Sequence, residues 1–270
     1  MVRCFEYISE ELACLKDPDP IETQTGENQT PIGVISAETG DVLFCMASHM
    51  AAMRFETLFT KEPETIKWIS GFEPGGCLVD IGANVGPYTI WAASHRNMRV
   101  YAFEPEARNF AVLNRNIMLN ELDDRITAYP VAISDENGFS ILNLGDLRTG
   151  GSLNSFGAAV DENLNPRAPL FRQGSVGATL DELVATNVLP VPDHVKIDVD
   201  GFEHKAVAGA RQVLSQSNVR SVLIELNNTI DAHRELMDIM TDLGFDAPPE
   251  RSERLQEKNG GNCVFRRSGG

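Results

Sequence analysis

The sequence predicts an α/β fold, a doubly wound and mostly parallel sheet with an antiparallel C-terminal hairpin, on three observations. Short apolar runs alternate with amphipathic stretches along residues 77–243, the rhythm of strands joined by crossover helices. The first such run, Cys77-Leu78-Val79-Asp80-Ile81, breaks into Gly82-Ala83-Asn84-Val85-Gly86, a tight glycine turn between strand and helix. Three runs deliver an acid at the strand end where open α/β sheets bind ligands: Asp80, Glu104 and Asp198.

In chain order, residues 1–50 read as an arm and a β-hairpin, and residues 51–270 as the main domain. Ile8, Leu12 and Leu15 have helical spacing, and the polar stretch that follows suits a mobile arm or a contact between two copies. Ile32-Gly33-Val34-Ile35-Ser36 and Val42-Leu43-Phe44-Cys45-Met46 flank the turn signal Glu38-Thr39-Gly40-Asp41, which predicts the hairpin. Phe55, Leu58, Phe59, Ile66, Trp68 and Ile69 are spaced for helix, interrupted near Pro63 and stopped at Gly71.

Beyond the glycine turn, a helix over residues 88–94 leads to the strand Val100-Tyr101-Ala102-Phe103, and residues 106–120 carry Phe110, Leu113, Ile117 and Met118 on one helical face. Residues 126–133 read as a third strand and 139–144 as a hairpin strand. Residues 145–177, rich in Gly, Asn, Ser and Pro, read as one long loop of the kind that forms a lid. Thr179 and Glu182 make a capping box for a short helix. A fourth parallel strand ends at Asp198, a helix spans 203–214, and 219–226 and 231–243 make the fifth strand and its helix. The tail, with Phe245 and Cys263-Val264-Phe265 around a polar loop, fits the closing hairpin.

The net charge of -16 opposes nucleic acid and anionic membrane surfaces as partners and leaves a small molecule as the expected substrate. Cys4, Cys14, Cys45, Cys77 and Cys263 are scattered without metal-ligand spacing, as free thiols of a reducing cytoplasm are. Neither a signal peptide nor a membrane-spanning run is evident.

Two details narrow the ligand. The loop is G-x-x-x-G, not G-x-G-x-x-G, and Asp80 precedes it; a pyrophosphate at the helix N-terminus would meet that carboxylate as a like charge. Glu104, about twenty residues on, is placed to accept hydrogen bonds from both ribose hydroxyls. Acids at adjacent strand ends favour a cationic nucleoside, S-adenosylmethionine, with Asn84 on its methionine part. Converging carboxylates destabilise a fold unless a cation shares them. The cluster Asp198-Val199-Asp200-Gly201-Phe202-Glu203 could contact the ligand's amino group, act as general base or hold a metal; the later oxygen ligands of a calcium loop are missing, so no metal is expected. Asp200 and Glu203 serve equally as helix caps. Lys196 is expected to pair with a neighbouring acid. His49, His194, His204 and His233 read as structural, His204 being the strongest outsider for catalysis. Glu225 and Asn227 end the fifth strand, open to substrate contact or loop anchoring.

Val79-Asp80-Ile81-Gly82-Ala83-Asn84-Val85-Gly86, Ala102-Phe103-Glu104-Pro105, Val131-Ala132-Ile133-Ser134, Thr179-Leu180-Asp181-Glu182-Leu183 and Lys196-Ile197-Asp198-Val199-Asp200-Gly201 together resemble the FkbM-type methyltransferases, in that order. The resemblance implies a class I, Rossmann-like methyltransferase fold, S-adenosylmethionine as donor, and O-methylation of a small natural-product or sugar hydroxyl. It would place Asp80, Gly82 and Asn84 on the methionine moiety, Glu104 on the ribose, Ala132 beside the adenine, Asp198 near the transferring methyl, and Glu56 within reach of the cofactor. Asp200 departs from the family's usual Glu by one methylene. A hydroxyl acceptor needs a base, for which Asp198, Asp200, Glu203 and His204 are the candidates. A non-catalytic scaffold and a nicotinamide-dependent dehydrogenase are the competing readings.

Overall fold

Leu78, Val100 and Ala102 fall in one hydrophobic core and Val79, Ile81 and Phe103 in another, because successive side chains of a strand point to opposite faces of its sheet. A sheet covered on both faces follows, and a computed structural model describing residues 2–3, 30–37, 39–246 and 260–267 has that form.

The chain begins with β1 (Val2–Arg3), β2 (Ile32–Ala37) and β3 (Gly40–Cys45), a small antiparallel sheet. Helices α1 (His49–Glu56) and α2 (Pro63–Ser70) follow; Ser48 caps the first by accepting from the Ala51 N–H, and Pro63 opens the second where its missing N–H is harmless. Then come β4 (Cys77–Ile81), α3 (Pro87–Arg96), β5 (Arg99–Phe103), α4 (Ala107–Leu119) and β6 (Ile126–Tyr129). After β7 (Val131–Ile133), β8 (Gly138–Leu144), β9 (Ser155–Phe156) and β10 (Phe171–Ala178), the chain returns to the main sheet through α5 (Leu180–Ala185) and β11 (His194–Ile197). It continues through α6 (Glu203–Ala208), α7 (Arg211–Leu214), β12 (Ser221–Asn227), α8 (Asp231–Asp242) and β13 (Gly260–Arg266).

The main sheet has the order β13-β12-β11-β4-β5-β6, parallel except for β13. A second sheet, β7-β10-β8-β9, leaves it at Pro130. Proline has no N–H to give a ladder, so the single strand expected over 126–133 splits there, and its second half pairs with β10 instead. Residues 145–177 are accordingly not one loop, since β9 and β10 both lie within or across that span. The helix expected over 203–214 breaks at Gly209, where a Cβ would stand 2.0 Å from the Ser134 carbonyl oxygen. Of the C-terminal hairpin, β13 is present and a bridge joins Asp246 to Arg266; residues 247–259 lie outside the described residues. So do the expected helix over 8–15, the arm's proposed contact between copies, and Cys4 and Cys14. Cys45 and Cys77 are buried free thiols, and burial pushes the Cys77 thiol up to about 12. Among the described residues no helix is long and apolar enough to cross a membrane.

Candidate functional site

From β4 the chain leads through β5 and β6 to one side and later through β11 and β12 to the other, so the crevice of this sheet opens at the carboxyl ends of β4, β5 and β11. A cleft of about 1010 Å³ lies there. Gly82 and Asn84 enter it from the glycine turn, Glu104 and Pro105 from β5, and Val131, Ala132 and Ile133 from β7. Leu142 and Phe156 of the second sheet, Asp198 and Asp200 after β11, and Glu225 of β12 complete the wall, with Arg54 and Lys61 opposite.

Gly82 has φ 82°, and a Cβ there would stand 1.8 Å from the Asp198 carbonyl oxygen, so only glycine lets the turn pass against β11's end. Asn84 takes the left-handed φ 54° that asparagine tolerates, which aims its N–H at Glu104. The Glu104 carboxylate accepts from the Asn84 N–H at 2.8 Å and the Glu106 N–H at 2.9 Å. Burial nevertheless pushes it up to about 7, against the pull of those two donors.

A loop over residues 145–154 is tied across the mouth. The Asn84 side chain donates to the Gly151 carbonyl at 2.7 Å, Arg54 donates to the Gly150 carbonyl, and the Gly150 N–H donates to Asn109. Asp200 accepts from the Leu153 N–H at 2.7 Å. Burial first, then Asp198 and Glu203, push the Asp200 carboxyl up to about 7 from its ordinary 3.8. A folded-state pKa raised in this way contributes stability that is present below the ordinary value and is lost as pH rises through about 7. Asp200→Asn is therefore expected to lose less thermal stability than the parent between about pH 4 and pH 7. Parallel melting curves of the two proteins across that range would contradict this.

Below the cleft lies a buried charge group. Lys196 Nζ is 2.9 Å from Asp198 Oδ2 and 3.8 Å from Asp80 Oδ1, and Thr89 donates to Asp80 Oδ2 at 2.5 Å. Burial works to raise the Asp198 carboxyl, but Lys196 outweighs it and holds Asp198 well below the usual carboxylate range. Asp80 is raised by burial, with Lys196 and Thr89 opposing. The expected pairing of Lys196 is thus present twice over.

Of the residues expected at the site, Gly82, Asn84, Glu104, Ala132, Asp198 and Asp200 line the cleft. Asp80 does not; it is 1 % exposed and spends its charge on Lys196 and Thr89 beneath the floor. Glu56 is exposed at the end of α1, and Arg54 and Lys61 from the same stretch face the cleft instead. Glu203 is 1 % exposed and turns back to accept from the Val199 N–H at 2.8 Å and to meet His233 Nε2 at 3.1 Å, which folds the acidic turn. His204 lies outside the cleft lining, stacked on Phe202 at 6.0 Å; burial first, then His233, lowers its pKa. Glu225, which the sequence left open between substrate contact and loop anchoring, lines the cleft from the end of β12. One oxygen each of Asp198, Glu203 and Glu225 come within 4.8 Å of one another. Lys196 already neutralises Asp198, and His233 with backbone N–H groups already satisfies Glu203, so the trio has protein partners where a metal would bring charge.

A second cavity of about 840 Å³ adjoins the first across Asp200 and Glu225, bordered also by Glu162, Asn163, Asn227 and Thr229. Its border mixes carboxyl, amide, hydroxyl and imidazole side chains with Leu153, Leu226 and three glycines, and among the described residues it carries no lysine or arginine.

A methyltransferase FkbM domain model matches residues 80–247. No curated protein matches the chain. Among solved structures, an FkbM methyltransferase from Methylobacillus flagellatus is 16% identical over 82% of this chain and 55% of its own, with a TM-score of 0.48. A precorrin-6y C5,15-methyltransferase from Geobacter metallireducens is 15% identical over 78% of this chain and 90% of its own, at 0.45. TrmK from M. capricolum, solved with S-adenosylhomocysteine, is 9% identical over 76% and 68%, at 0.43. The chain thus spans just over half the length of the Methylobacillus protein. With the family model covering more than half of the sequence, from the strand of the glycine turn to the end of α8, the chain belongs to the FkbM methyltransferase family.

Proposed function

We propose that this chain transfers a methyl group from S-adenosylmethionine to a hydroxyl oxygen of a small molecule. The observation that carries the donor is Glu104, a carboxylate fixed by two backbone N–H groups at the end of β5, beside a glycine turn and across from apolar Val131, Ala132 and Ile133. The donor set fits the group: a two-pronged acceptor for a ribose, an apolar slot for a flat base, and the carboxyl groups of Asp198 and Asp200 for a sulfonium and an ammonium. When bound, the donor supplies an activated methyl group; the chain's work is to align the acceptor behind it and keep water out. The loop over 145–154, already tied to Asn84, Asn109 and Asp200, supports the second task. The net charge of -16 favours a small-molecule acceptor over nucleic acid.

Isothermal titration with S-adenosylmethionine, S-adenosylhomocysteine and NAD tests the reading. Binding of the first two and not the third is expected. Binding of NAD alone would favour a dehydrogenase, and no binding a scaffold. Glu104→Ala is expected to weaken both adenosyl ligands by about 2 kcal/mol, the worth of charge-assisted hydrogen bonds lost from a buried carboxylate. Equal affinity in parent and variant would remove Glu104 from the ribose.

A further inference from the structure

Glu225 stands in the partition between the two cavities, and one of its carboxyl oxygens lies within 4.8 Å of an oxygen of Asp198. Two carboxyl groups this close repel as anions, so one of them keeps a proton, and position decides which. Lys196 lies against Asp198 at 2.9 Å and keeps it ionised. The residue paired with Glu225 on β13 is Asn262, uncharged, and the charges that act on it most after Asp198, Glu203 of α6 and Asp200 after β11, are acids, with Arg54, Lys61 and His233 also on the cavity walls. Lys61 from the α1–α2 link, which lines the same cleft, adds to the pull of Lys196 on Asp198. The proton therefore belongs to Glu225, whose carboxyl Asp198 and then burial hold well above the usual range.

We propose that Glu225 is the acceptor's proton-taking group, discharged when the donor cation seats in the first cleft and recharged by the acceptor hydroxyl in the second. This rests on the donor reading above. A sulfonium entering among Asp198, Asp200 and Glu225 adds positive charge beside a neutral carboxyl, which expels its proton to solvent. The ionised Glu225 then faces a hydroxyl across the partition. As a lone pair of the acceptor oxygen forms the new C–O bond, the O–H bond gives its proton to Glu225; the S–C bond breaks with its electron pair left on sulfur. Glu225 ends the step neutral beside an uncharged thioether, the state in which it started. The acids Glu162, Asp200, Glu203 and Glu225, with no lysine or arginine among the described residues of the border, favour a neutral hydroxyl compound in the second cavity over an anionic one.

The test needs no acceptor. Titrate the whole chain with S-adenosylmethionine and with S-adenosylhomocysteine near pH 7, in buffers of different ionisation enthalpy, and count protons from the buffer dependence of the heat. The sulfonium ligand is expected to release about one proton more than the thioether, by the linkage of proton and ligand binding. Glu225→Gln should still bind both ligands and lose that difference, and Glu225→Asp should restore it. Binding of both ligands with equal proton counts, or an undiminished difference in Glu225→Gln, overturns the role of Glu225 and leaves the donor reading standing. Absence of binding by either ligand overturns both.

Discussion

Lys196→Met is expected to destabilise the protein by about 3–5 kcal/mol, the cost of leaving a buried carboxylate without its counter-charge. Lys196 is 2 % exposed and Asp80 1 %, so water cannot take over the neutralisation. Burial by itself would lower the lysine's pKa; Asp198, Asp80 and Glu62 outweigh it and keep the ammonium charged. Methionine fills a comparable volume without a cation, and the Asp80 carboxyl, one oxygen of which has no hydrogen-bond partner, is left with Thr89 alone. The double variant Lys196→Met/Asp80→Asn should recover part of the loss, because the stranded charge goes with the aspartate. Urea denaturation of the parent and the two variants checks this. A loss below about 1 kcal/mol in the single variant would mean the group behaves as a surface pair.

Asp198→Asn is expected to lower turnover on the order of 10²-fold or more, the range for positioned acid–base groups, once an acceptor is in hand. Asp198 touches the cleft, holds Lys196 and stands beside Glu225, so an amide there disturbs all three. Asp200→Asn should cost less, since Asp200 is engaged with the Leu153 and Asn154 N–H groups of the loop. A chelator should leave the rate unchanged. Activity lost on chelation and restored by magnesium or calcium would instead make Asp198, Glu203 and Glu225 metal ligands. Asp200→Asn slower than Asp198→Asn would transfer the leading role to the loop anchor.

The strands, their order of appearance and the acids at their ends were legible because period-two alternation and glycine punctuation are local signals. Asp80 shows where such signals stop. Its place at a strand end was readable, but its direction is set by Lys196, a residue 116 positions away that lies opposite it in the sheet register. Glu203 sits in the cluster with Asp198 and Asp200, yet its carboxylate points back at its own turn because the Val199 and Gly201 N–H groups need an acceptor. Glu56 was placed through family resemblance, and the helix that carries it turns Arg54 inward instead. The second sheet escaped notice because β10 is half polar and its partners β7 and β8 lie some 30 to 45 residues earlier, beyond any local pattern.

The register of β4 also sets an order of assembly. One neighbour, β5, begins 22 residues after β4 starts, whereas the other, β11, arrives only after residue 193. Closing the short connection costs less chain entropy than closing the long one, so β4, β5 and β6 with α3 and α4 form a local nucleus that β11, β12 and β13 join later. The ligand crevice lies on the seam between these halves. Pulse-labelled hydrogen exchange during refolding should therefore protect the β5 and β6 amides before those of β11 and β12, and simultaneous protection would contradict it. On that order, a growing chain carries its glycine turn for more than a hundred residues before it has a second wall to hold anything against.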